Sequence, residues 1–303
     1  MIKFGLLSID QILDEEEFNK LKNQKRMVSE AFNKTKAKKL SFIKKYGLSC
    51  LATDFASLLG LGFIRYGDNE EKKGKYGAWW LGEGIVYRLF DKKYHAIQVE
   101  GVDEVISYKW PFIKNNGIRP CVKYSDIMDE VNNVVKVDDN LLEVEYGEYP
   151  QMLVDDVSFA KLENLYLSGE LETTGKVYST NTPGMRTFIE YIHDGKKYIR
   201  VIYDCEFNVG ILSNGECTEN GDAYWVEVAP VKWLVDVEED VAVSNYLLAA
   251  GVAYGNQLTK EVTFENSHMN NFLQEHFAKE IIPSQPKICK ENNKHFTKCT
   301  KYA

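Results

Sequence analysis

Apolar residues recur at helical spacing between positions 9 and 33, where Phe18, Leu21, Val28 and Phe32 fall on one face. The run Asp14 to Glu17 lies in the first turns, where the helix dipole favours carboxylates, and Asp10 is the expected cap. A lysine-dense stretch follows, and LATDFASLLG (51–60) then predicts a short buried helix with a glycine stop. From 76 to 125 the period shortens to alternation in GIVYRLF, HAIQVEGV and GIRPCVKY, which predicts short strands.

An acidic joint spans 126–145 and reads either as a linker or as a connecting strand, because it keeps Val134, Val135, Val137, Leu141 and Leu142. Beyond it, Phe159, Leu162, Leu165 and Tyr166 mark a helix that leads to TTGKVYST and then KKYIRVIYD (196–204). VEVAPVKWLVD (226–236) and VAVSNYLL (241–248) predict a strand hairpin. TFENSHMNNFLQEHFAKEII (263–282) predicts an amphipathic helix, with Met269, Phe272, Leu273, Phe277 and Ile281 on one face and Asn266 or Ser267 as cap. Residues 283–303 form a lysine-rich tail.

Composition narrows the functional classes. With 44% hydrophobic and 13% aromatic residues the chain can bury a substantial core. A net charge of −8 argues against direct nucleic-acid binding through phosphate neutralisation and leaves an acidic surface able to compete for a basic partner. The lysine run at 34–45 reads as a solvated loop, lacking interleaved stacking aromatics. No window is long and apolar enough to cross a bilayer, and the start lacks a secretory pattern, so a cytoplasmic site is expected. Six cysteines are scattered without a CxxC, as free thiols in a reducing compartment would be.

YGAWWLGEG (76–84) and NNGIRPC (115–121) resemble the last third of a C-type-lectin-like domain. YGEYPQ (146–151), APVKWLVD, VSNYLL and the capped helix FENSHMNNFLQEHF resemble the opening half of a bacterial and phage family. That family has no assigned function and is related in fold to formylglycine-generating enzymes and C-type lectins. FGLLSIDQI (4–12), LATDFASLLG, YGAWWLGEG and NNGIRPCVKYSDI resemble its closing half, so the halves stand here in swapped order. The resemblance implies an α+β, C-type-lectin-like fold of short antiparallel strands, long loops and amphipathic helices. It implies one circularly permuted domain over 1–282, halves 1–125 and 146–282 being joined by 126–145. Two incomplete domains pairing their edges, or half of a swapped dimer, are the alternatives. Permutation costs little where termini lie close together on the surface.

Chemistry finds little footing. Oxidase chemistry of the formylglycine-generating type needs two neighbouring cysteines, and Cys121 stands alone beside Pro120. The carboxylate-and-amide calcium cluster of C-type lectins is missing, since WWLGEG offers only Glu83. Cys289, His295 and Cys299 have zinc-like spacing but no fourth ligand close by. Glu265 and His268 are explained by capping and solvation, and His276 by a satisfied boundary position. No GxSxG, P-loop, GxGxxG or HExxH occurs. The sequence is therefore read as non-enzymatic, with no metal and no cofactor.

What remains is a loop surface over 83–116, expected to recognise a protein partner through Glu83, Tyr87, Arg88, Lys93, Tyr94, His95, Tyr108, Lys109, Asn115 and Asn116. Rigid rings give contact area at low entropy cost, and amides adapt their hydrogen bonds. Trp79, Trp80 and Trp110 read as core. The alternatives are an acidic inhibitor or decoy from a phage or mobile element, occluding a host nucleic-acid-binding machine, and a divergent enzyme around Cys121 or Cys205.

Overall fold

The computed structural model describes residues 2–13, 16, 30–31, 40–61, 76–88, 93–100, 105–180, 186–204, 210–256 and 262–284. These build an α+β fold dominated by antiparallel strands. The centre of the larger sheet is β13 (Ala223–Asp236). One edge of β13 pairs first with β12 (Lys196–Ile202) and then with β14 (Val241–Ser244), and its other edge pairs with β9 (Leu141–Leu153). Pro230 cannot donate to the ladder, and the β9–β13 register shifts between Pro230 and Lys232. Outward from β12 lie β11 (Thr187–His193) and β10 (Glu172–Ser179). Outward from β14 lie β7 (Pro120–Lys123) and β1 (Gly5–Leu6). The predicted 226–248 hairpin is therefore present as β13–β14, and the 126–145 joint carries β8 (Asn132–Lys136) and the start of β9.

Strands from both ends of the chain thus share one sheet, and they share one interior. Phe4, Leu7 and Ile12 belong to the same buried cluster as Trp79, Trp80, Tyr149, Trp233 and Phe277. Two buried carboxylates bind distant segments together. Asp54 accepts from Leu153 N at 2.8 Å and Ser213 N at 2.6 Å, while Asp236 accepts from Ser41 N at 2.5 Å and Glu239 N at 3.0 Å. Asp54 also accepts from Ser213 Oγ at 2.6 Å, and among the described residues neither carboxylate pairs with a cation, so these donors offset its desolvation.

Helices follow their caps. Asp54–Leu58 starts at Thr53, whose hydroxyl accepts from Ala56 N, and ends before Gly60 at φ 92°. Asp156–Ser168 starts at Asp155, ends at left-handed Gly169, and packs Leu162 on Tyr198 and Trp225. Near the C-terminus Ser267 caps His268–Phe272, which continues as a π-turn, Leu273–Phe277, and then Ala278–Glu280. The five stripe residues predicted there are all fully buried.

The 9–33 helix is corrected. Ile9–Ile12 forms one turn, capped by Ser8 with Gln11 rather than by Asp10. Extended Leu13 interrupts it, and Glu16 is helical again, while 14–15 and 17–29 lie outside the described residues. Ile9, Ile12 and Leu13 are all buried, so core packing accompanies the break at Leu13. Glu30–Ala31 is a strand, β2, while Phe18, Leu21, Val28 and Phe32 lie outside the described residues.

Candidate functional site

A second sheet holds the region predicted to bind. Its order is β2, β6 (Val105–Lys109), β5 (Lys93–Glu100) and β4 (Trp79–Arg88). Here the two sequence motifs meet, for Trp79 bridges Gly117, Trp80 N donates to Gly117 O at 3.3 Å, and Gly117 N donates to Ala78 O at 2.6 Å. Both tryptophans are fully buried. Trp79 Nε1 donates to Leu48 O at 3.2 Å, and the Trp80 ring meets Tyr254 edge-on at 5.9 Å. The Arg119 guanidinium lies 5.3 Å from the Trp79 ring and 5.9 Å from Phe42, and its Nε donates to Ser244 O at 3.1 Å. A buried cation stacked on aromatic faces accounts for the Arg-Pro landmark as a structural element. Gly82 is equally structural, because an added Cβ would stand 2.9 Å from the Leu6 carbonyl oxygen where β4 crosses β1.

Strand register decides which predicted residues come together. Tyr87 stands opposite Tyr94 and Arg88 opposite Lys93, so four of them share the far end of the β4–β5 hairpin. Lys109 pairs with Ala96 and Tyr108 with Ile97 one strand further on. The side chains of Glu83, Tyr87, Arg88, Lys93, Tyr94 and Tyr108 lie outside the described residues. Lys109 and Asn115 are half-buried. His95 and Asn116 are interior rather than on a rim, each 2% exposed. His95 stacks on Trp110 at 4.5 Å. Asn116 Nδ2 donates to Gln98 Oε1 at 2.6 Å, and Gln98 Nε2 donates to Ser107 Oγ at 3.0 Å. His95 shares one face of β5 with the buried Ile97 and Val99, and the Asn116–Gln98 pair lies on the other face, where Ala96 is buried too.

Sequence reading missed a second polar cluster, where the C-terminal helix meets β10. Ser179 Oγ lies 2.8 Å from His276 Nδ1 and donates to Glu280 Oε1 at 2.9 Å, and Ser179 N donates to the same oxygen at 2.8 Å. Tyr178 and Thr174 donate to the buried Glu190 at 2.6 and 2.7 Å. Ser179 and its partners His276 and Glu280 are about a hundred residues apart in the chain, so no local signal announces them.

Among the described residues no group of three or more His, Cys, Asp or Glu could hold a metal ion. Cys50, Cys121 and Cys217 are free thiols, and burial pushes Cys121 up to about 12. Cys205, Cys289, His295 and Cys299 lie outside the described residues. No described helix is long and apolar enough to cross a membrane. No protein-family model, curated protein or solved structure matches the chain.

Proposed function

We propose that this chain is a non-catalytic binding module on a circularly permuted C-type-lectin-like frame, gripping a protein partner in the cytoplasm with the 83–116 surface. The observation that carries this reading is the β4–β5 register. It gathers Tyr87, Arg88, Lys93 and Tyr94 at one hairpin end whose base rests on buried tryptophans. Two like charges directly opposite one another destabilise a free hairpin. That cost suits a surface completed by an acidic or hydrogen-bonding partner, with the tyrosines as rigid anchors. A thiol held near 12 is protonated at neutral pH and makes a poor nucleophile, which counts against the Cys121 enzyme reading.

The test is affinity capture from native lysate with wild type and with the Tyr87→Ala, Arg88→Ala, Tyr94→Ala triple variant. Loss of the captured partner with a melting temperature within about 3 °C of wild type is expected. Undiminished capture by the triple variant would refute the reading.

A further inference from the structure

A cleft of about 430 Å³ opens where the first strand meets the C-terminal helix. Small-molecule sites span roughly 300–1,000 Å³, so the space suits a compact ligand rather than a folded partner. Its lining is mainly apolar, with Phe4 just before β1, Val122 on β7 and Val241 on β14 joined by Phe264. Gln274 ties the two sides by donating to the Phe4 carbonyl oxygen, which holds the cleft's shape.

The charges at this cleft are not balanced. Lys3 and Lys123 line it, both exposed, and neither forms an ion pair among the described residues. Glu265 also lines it, but its carboxylate is taken up by its own backbone N–H and the Thr263 hydroxyl, which hold it below the usual carboxylate range. Two unpaired ammonium groups beside an apolar trough therefore stand out on a chain of net charge −8. Cys121 contributes a neutral thiol to the lining, so nothing there calls for covalent capture.

From these features we infer a second ligand site: the cleft takes a small amphipathic carboxylate, its apolar body against Phe4, Val122, Val241 and Phe264 and its anionic head between Lys3 and Lys123. The site is separate from the hairpin surface and stands or falls independently of it.

Octanoate titrated into the full chain, followed by two-dimensional NMR, tests the inference, with octanol as the uncharged control. Shift changes should gather at the methyl groups of Val122 and Val241. Octanol should bind about ten-fold more weakly, and Lys3→Glu combined with Lys123→Glu should weaken octanoate by about ten-fold or more. Both lysines are exposed, so the double variant should keep its melting temperature. Equal affinity for the two probes, octanoate binding unaltered in the double variant, shifts centred elsewhere, or no binding at millimolar concentration would each overturn it.

Discussion

Glu280 is a carboxyl group held almost entirely out of water, against the outer edge of β10. Ser179 donates to it through backbone and hydroxyl, and Tyr149 donates more distantly at 3.4 Å. Donors favour the anion, yet burial outweighs them and lifts the group to about 7. Glu148, Lys176, Glu190 and Lys197 act on the same region from β9, β10, β11 and β12. The folded chain consequently keeps a proton that the unfolded chain has already lost. The contribution to stability is whole below the ordinary carboxylate range and is lost as pH rises through about 7. His276, pushed down by its own burial, works the other way and loses stability as pH falls. Glu280→Gln isolates the first contribution. In urea unfolding at about pH 5 and about pH 8, wild type should lose on the order of 2 kcal/mol relative to the variant over that interval. Parallel profiles would show that the carboxyl titrates normally.

Secondary-structure elements here depend on close approach as much as on propensity. Gly147, in the YGEYPQ landmark, has φ +69°, and an added Cβ would stand 2.7 Å from the Ile281 carbonyl oxygen. Glu148 N donates to that same oxygen at 2.8 Å, fixing the end of the C-terminal helix on β9. Gly147→Ala should therefore cost about 2 kcal/mol or more and open the chain to proteolysis near Pro283. A variant as stable as wild type would remove this account of the landmark glycine. The sequence made several elements legible because their signals are local. Gly60 ended one predicted helix, Phe159, Leu162, Leu165 and Tyr166 marked another, and the stripe from Met269 to Ile281 was readable from spacing alone. The π-turn at Leu273–Phe277 left no such mark. The break at Leu13 was not legible, because the periodicity of the 9–33 run says nothing of the core that claims Ile9, Ile12 and Leu13.

Over the whole molecule the decisive contacts are remote in sequence, which is why spacing could not disclose them. Asp54 meets Leu153 and Ser213 across 99 and 159 positions, and Asp236 meets Ser41 across 195. In the hairpin site, Tyr87 and Tyr94 were readable as members of one surface, but their pairing comes from the strand register. His95 and Asn116 were not separable from surface polars, since burial is set by a sheet that the local pattern does not reveal. The cleft was equally hidden, with a lining drawn from Lys3 at one end of the chain and Gln274 near the other. The binding reading requires a firm frame, and that frame requires β1 and β7 to be stabilised by β14 and the C-terminal helix as one body. Hydrogen exchange read by mass spectrometry across a urea series measures this directly on the unaltered protein. Amides of β7, β9, β13 and β14 should lose protection together, with one midpoint and one denaturant dependence. Protection of β7 lost at clearly lower urea than that of β13 would contradict the account, because the two ends of the chain would then unfold as separate units.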